Sequence, residues 1–203
     1  MPSLYILAGA NGSGKTAWYF TALEQNFIPK NLSFVNVDLI VRKELVGGYS
    51  EENYAKAANI ARDRIATCLE LNLDFMIESN LALQSDYIWI ENIKKKGYNV
   101  ILYFLGTDDV QINYARVINR IKEGGHSVPE GIIAHRYKIG LSYLRSNILQ
   151  FTKIFLIDNS FAYPRKMAEI EDAKIIFKET KSPNWVDEAL YVIEILQKKK
   201  NRN

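Results

Sequence analysis

Gly9-Ala10-Asn11-Gly12-Ser13-Gly14-Lys15-Thr16 matches G-x-x-x-x-G-K-[ST] in full. A loop that wraps a polyphosphate must press backbone N–H groups against it. Glycines allow that approach because they lack Cβ and accept positive φ. A helix opening at the end of the loop adds its N-terminal dipole to the same anion. In such a loop Lys15 reaches the β- and γ-phosphates, and the Thr16 hydroxyl ligates Mg²⁺. The stretch therefore implies a P-loop, the Walker A motif. Gly9, Ala10, Asn11, Gly12, Ser13, Gly14, Lys15 and Thr16 would surround ATP, with GTP the second choice of nucleotide.

An apolar run at residues 4–8 precedes the loop and a helical pattern at 16–25 follows it. Further runs of strand length lie at 34–37, 75–77, 100–105 and 154–157, each rich enough in apolar residues to be buried on both faces. Helical patterns fill the gaps at 51–71, 85–95, 108–122 and 129–149. In 51–71 the apolar residues Ala58, Ala61, Ile65 and Leu69 fall at helical spacing. The alternation predicts a doubly wound α/β fold with a mostly parallel sheet. After Asn159 the pattern changes to a small hairpin, 167–170 with 174–178, and a last helix at 187–198. We expect one domain over residues 1–203, with residues 108–149 forming a helical lid.

Composition has an ordinary globular balance. Of the 203 residues, 48% are hydrophobic and 24% charged, and the net charge of +3 permits anionic ligands without demanding nucleic acid. Cys68 is the single cysteine, so no internal disulfide forms. No segment reaches the ~20 apolar residues of a membrane span, and the first apolar run is too short for a signal peptide. We expect a cytosolic protein with no membrane partner. The basic tail at 198–203 reads as a solvated end.

Elimination narrows the class. The Asn-Lys-x-Asp and Asp-x-x-Gly signals of GTPases are missing, as are the Leu-Ser-Gly-Gly-Gln type signature of transporter ATPases and a strand ending in Asp-Glu. A small-molecule kinase with an arginine-bearing lid remains. Asp38 follows Phe34-Val35-Asn36-Val37, at the end of a strand expected beside the P-loop strand. It reads as the base for an attacking hydroxyl or a holder of metal-bound water, and equally as a helix N-cap. Glu78 ends the third run and reads as a metal or substrate contact, or as a strand-end cap. Arg116 and Arg120 stand one helical turn apart. Gly124-Gly125-His126-Ser127-Val128-Pro129 breaks the pattern, and Arg136 follows on the next helix. Such arginines suit a phosphate-closing lid; the alternative for each is a surface charge. His126 reads as structural, and Trp18, Tyr19 and Phe20 as core. Asp158-Asn159-Ser160 reads as a turn or as an approach to the adenine.

The combination resembles the zeta-toxin-like P-loop kinases, in particular their compact branch. The matching residues are the P-loop, Phe34-Val35-Asn36-Val37-Asp38, Met76-Ile77-Glu78-Ser79, Tyr103-Phe104-Leu105, Arg116-Val117 with Arg120, Gly124 to Pro129, and Arg136-Tyr137. Where the compact branch has Glu-Thr-Thr, this chain has Glu78-Ser79-Asn80. The resemblance implies an ATP- and Mg²⁺-dependent kinase. Lys15 and Thr16 would hold phosphate and metal, Asp38 would be the base, Glu78 a metal or substrate contact, and Arg120 and Arg136 the clamp. It also implies a UDP-amino sugar such as UDP-N-acetylglucosamine as acceptor, and an antitoxin-like protein partner. A crevice of small amides and hydroxyls (Asn36, Ser79, Asn80) suits a sugar, whereas a flat base would want aromatic stacking. Two rivals are a nucleic-acid end kinase or repair ATPase, and a non-catalytic nucleotide switch.

Overall fold

The computed structural model describes residues 1–122 and 127–200. The element order is β1 (Ser3–Ala8), α1 (Lys15–Glu24), β2 (Ser33–Val35), α2 (Val37–Glu44), α3 (Glu51–Glu70), β3 (Phe75–Ser79), α4 (Gln84–Lys95), β4 (Asn99–Gly106), α5 (Val110–Lys122), α6 (Glu130–Asn147), β5 (Lys153–Asp158), β6 (Arg165–Glu171), β7 (Lys174–Lys178) and α7 (Asn184–Lys200). A short 3₁₀ turn, Ile148–Gln150, follows α6. The strands form one sheet in the order β2-β3-β1-β4-β5-β6-β7. The first five are parallel, and β6 and β7 run antiparallel.

Side-chain alternation explains why these runs are apolar throughout. Along β1, Leu4, Ile6 and Ala8 face one side, where α4, α6, α7 and the C-terminal part of α3 cover them. Leu7 faces the other side and packs with Trp18, Tyr19 and Ala22 of α1. Tyr103 and Phe155 continue that second layer as a stacked pair with centroids 4.9 Å apart. Both faces are dry, as a parallel sheet requires. The doubly wound α/β fold with a helical pair and a C-terminal hairpin is as the sequence predicts.

Four expectations need correction. The run at 34–37 ends as a strand at Val35, because the Asn36 side chain accepts the Leu39 amide N–H at 2.9 Å and starts α2, a helix the apolar pattern did not reveal. The neighbours of β1 are β3 and β4, so β2 lies one strand further out and Glu78, not Asp38, adjoins the P-loop strand. Phe20 is exposed, with the Lys43 ammonium 5.6 Å from its ring centre. In α3 Ala61 is buried and Ile65 and Leu69 pack partly buried on the core as expected, but Ala57 and Cys68 are the other buried residues and Ala58 is only half-buried. Gly124, Gly125 and His126 lie outside the described residues, as do residues 201–203.

The sheet order places a switch point at β1. The chain leaves β1 toward β2 and β3 on one side, then crosses to β4 and β5 on the other. Ligands of such sheets bind at the carboxyl ends of the strands flanking that point. Beyond the end of β4, α7 closes the sheet: a Cβ on Gly106 would stand 2.6 Å from the Trp185 indole, which is buried. Gly106→Ala should destabilise the protein by ~1–3 kcal/mol through overpacking. Urea unfolding would show a lower midpoint with an unchanged slope; an unchanged midpoint would mean that α7 yields freely.

Candidate active site

The P-loop runs from the end of β1 into α1. Gly14 caps α1 at φ 91°, and the helix carries no acidic residue in its first turn. The orphan N–H groups of that turn are therefore left for an outside anion. Gly12 is at φ 78°, and a Cβ there would lie 2.4 Å from the Asn113 carbonyl oxygen. One on Gly14 would lie 2.2 Å from Asn159 Nδ2. The motif's glycines answer both a backbone angle and a wall of neighbouring atoms.

That wall consists of residues the sequence reading missed or assigned differently. Asn113 of α5 is fully buried; its Nδ2 donates to the Asn11 carbonyl at 2.7 Å, and its Oδ1 accepts the Thr107 hydroxyl. Asn159, after β5, donates to the Ser13 carbonyl at 2.8 Å. The turn at 158–160 thus buttresses the loop from beneath. Asp158, itself buried, accepts from Ser160 and pairs with Arg165 at 3.5 Å. Tyr137 donates to the Thr107 carbonyl at 2.7 Å. An asparagine inside a helix or after a strand carries no motif, so only the packing identifies these supports.

Below the loop lies a polar crossing. Lys15 Nζ donates to the carbonyls of Gly9 at 2.8 Å and Ala10 at 3.2 Å, and to Asn80 Oδ1 at 3.4 Å. Glu78 Oε1 stands 3.7 Å from the same nitrogen. Burial pulls the Lys15 ammonium below the ordinary lysine range, while Glu78 and Asp38 push it back up. Glu78 Oε2 accepts from the Thr16 hydroxyl at 3.0 Å and from Asn36 Nδ2 at 2.6 Å. A hydroxyl beside a carboxylate offers the hard oxygens that suit Mg²⁺. Among the described residues, no three His, Cys, Asp or Glu side chains form a metal cage. A magnesium ion at Thr16 and Glu78 would therefore draw on phosphate and water oxygens as well.

Asp38 lies in the first turn of α2, two residues past the cap. It is therefore a helix residue that fronts the site. Two cavities meet there. One, about 200 Å³, is lined by Gly12, Gly14, Lys15, Thr16, Arg116 and Arg120. The other, about 330 Å³, is lined by Asn36, Tyr54, Ser79, Asn80, Val128 and Arg136. Asn11, Asp38 and Glu78 border both. The arginines are thus divided, Arg116 and Arg120 on the P-loop side and Arg136 on the far side. Arg136 also donates to Asn11 Oδ1 at 2.9 Å, tying α6 to the loop. Arg116 has a buried Nη1 with no hydrogen-bond partner among the described residues. Burial lowers its pKa and Asp158 opposes that shift. Tyr54, missed in the sequence, gives the second cavity an aromatic wall alongside the expected amides and hydroxyls.

Removing the Asn113 support isolates its contribution. Asn113→Ala should cost ~1–3 kcal/mol, because the Asn11 carbonyl and the Thr107 hydroxyl each lose a buried partner. Chemical denaturation would read the loss, and hydrogen exchange should show faster opening of the P-loop amides. Unchanged exchange at residues 9–14 would mean the loop does not lean on α5.

Comparison with known proteins gives a consistent answer. A protein of Haemophilus influenzae described as an uncharacterized protein is 26% identical over 134 residues, which is 64% of this chain and 88% of that protein. In the AvrRxo1-ORF1:AvrRxo1-ORF2 complex, one chain superposes with a TM-score of 0.68 at 16% identity, covering 95% of this chain. This chain spans only 63% of the length of that AvrRxo1 chain. A structure of the same complex with ATP gives a TM-score of 0.65 at 14% identity, covering 96% of this chain and 76% of that one. A chain of the PezAT toxin–antitoxin system of Streptococcus pneumoniae gives 0.59 at 17% identity, covering all of this chain and 86% of that one. The shared architecture is a P-loop kinase-like fold. The zeta toxin profile matches residues 1–160, and on that match the chain belongs to the zeta toxin family.

Proposed function

We propose that this protein transfers the γ-phosphoryl group of ATP to a hydroxyl of a small-molecule acceptor. The observation that carries the reading is the meeting of two cavities at Asp38 and Glu78, one walled by the P-loop and the other by neutral polar side chains. A phosphoryl donor in the first and an acceptor in the second would face each other across Asp38. The ATP held by the AvrRxo1-ORF1:AvrRxo1-ORF2 complex, on a related fold, supports the choice of donor.

On this reading Gly9 to Thr16 seat the phosphates, and Lys15 leaves the Gly9 and Ala10 carbonyls to follow the β- and γ-oxygens. Thr16 with Glu78 would hold Mg²⁺, which would supply charge neutralisation on the phosphates. Asp38 orients the acceptor hydroxyl and takes its proton. Arg116 and Arg120 meet the nucleotide, and Arg136 moves from Asn11 to the transferring group, where equatorial charge grows. The chain acts as one domain, with a lid drawn from residues 108–149. The closing part of that lid is the C-terminal half of α5 and the first turns of α6, because Asn113 near the start of α5 is fixed under the P-loop and Leu144 near the end of α6 is fully buried in the main core.

Lys15→Ala should bind ATP at least ~10-fold more weakly, having lost the cation that follows the phosphates. Asp38→Asn should bind ATP normally and lose ~10²-fold in turnover. Calorimetry and steady-state kinetics separate the two. An Asp38→Asn enzyme with full turnover would leave Asp38 a helix residue and move the base elsewhere.

For the acceptor we propose a UDP-activated amino sugar, such as UDP-N-acetylglucosamine. The family resemblance supports it, as do the amides and hydroxyl of Asn36, Asn80 and Ser79 for the sugar and the ring of Tyr54 for the base. We also propose a cytosolic setting with an antitoxin-like protein partner. The single cysteine and the PezAT comparison support these two points, and no described helix is long and apolar enough to cross a membrane. Incubation with Mg-ATP and UDP-N-acetylglucosamine should yield a product heavier by one phosphoryl group in mass spectrometry. Phosphorylation of a different acceptor in a panel of nucleotide sugars, nucleosides and oligonucleotides would keep the kinase and replace the substrate. Inertness toward the whole panel would sink the phosphotransfer reading.

A further inference from the structure

We propose that Asn36 is a positioning residue that sets both carboxylates of the site at once: it holds Glu78 by a direct hydrogen bond and Asp38 through the helix turn it caps. Asn36 is 3% exposed and stands between β2 and α2. Its Oδ1 accepts the Leu39 N–H at 2.9 Å, which closes the first turn of α2 around Asp38. Its Nδ2 donates to Glu78 Oε2 at 2.6 Å. That same oxygen accepts from the Thr16 hydroxyl at 3.0 Å, and Glu78 Oε1 stands 3.7 Å from Lys15. One amide therefore links the helix that carries Asp38 to the carboxylate beside the P-loop.

The choice of residue type carries the inference. As an N-cap, Asn is no better than Asp or Ser. Capping alone does not select it. The neighbouring carboxylate does, because the side chain must accept on one side and donate on the other, and an amide does both from one rigid plane. An aspartate would cap equally well and set a second negative charge against Glu78.

A melting cycle on the ligand-free protein tests the link without reference to activity. Its four members are wild type, Asn36→Asp, Glu78→Gln and the double variant Asn36→Asp/Glu78→Gln. Asn36→Asp should lower Tm by about 3–8 °C, the scale of a lost charge-assisted hydrogen bond in a chain this size. The double variant reverses donor and acceptor and should recover at least half of that loss. Should Asn36→Asp fail to fold, folding of the double variant is itself the recovery. Additive effects, or no loss in Asn36→Asp, would reduce Asn36 to a helix cap and overturn the proposal.

The kinetic arm rests on the phosphotransfer reading above. Asn36→Ser keeps the cap but is too short to hold Glu78. It should lose ~10-fold to ~100-fold in kcat, with KM for ATP changed less than ~3-fold because the P-loop contacts are intact. Wild-type kcat in Asn36→Ser would overturn the positioning role. A wild-type protein with no turnover on any acceptor would sink the phosphotransfer reading and that role with it, while the melting cycle still decides whether Asn36 holds Glu78.

Discussion

Lys15 is a buried cation, and the site is organised around keeping it so. An ammonium removed from water must be surrounded by acceptors or give up its proton. The loop supplies two carbonyls, β3 supplies Glu78 and the loop after β3 supplies Asn80. These partners hold the charge without committing it, because none is a tight bidentate pair. A phosphate arriving at the first turn of α1 offers more negative charge than the carbonyls do. The exchange of partners is then downhill, and the lysine needs only a small movement.

The remaining polar groups follow from that arrangement. Glu78 is the counter-charge, so its own position must be held, by Thr16 on one side and Asn36 on the other. The loop carbonyls must point inward, so their peptide units need support from behind. Asn113 and Asn159 provide it from two elements that meet only in the tertiary structure. The parallel sheet makes this convergence possible. It brings the ends of β1, β3, β4 and β5 to one edge, where the loops after β4 and β5 support the P-loop and the loop after β3 lines the cavity beside it.

The separation of the arginines has a mechanistic sense. Arg116 and Arg120 line the P-loop cavity, and Arg136 lines the other. On the phosphotransfer proposed above, a phosphoryl group passing between the two cavities would be met by positive charge on both sides. Arg136 rests on Asn11 of the loop itself, so the loop and α6 are in direct contact.

Much of this was legible in the chain. The eight-residue motif required a strand before it and a helix after it, and the apolar runs required a sheet covered on both faces. These are local rules of spacing and periodicity, and they hold wherever the chain is placed. Lys15, Thr16, Glu78 and the arginines could be picked out because each stands at a motif position, a strand end or a helical spacing. Three other matters were decided by tertiary structure alone. Strand order put Glu78 rather than Asp38 beside the P-loop, because parallel strands pair through crossovers that sequence proximity does not reveal. The short helix α2 replaced the end of a strand, because a capping asparagine won over a run that extended only two residues past the end of β2. Asn113 and Tyr54 entered the site without a sequence signal, and Asn36 and Asn159, already singled out in the chain, took bonding roles that the chain did not show. An amide or a ring has a role only when a partner from a distant element stands within hydrogen-bonding or packing distance of it.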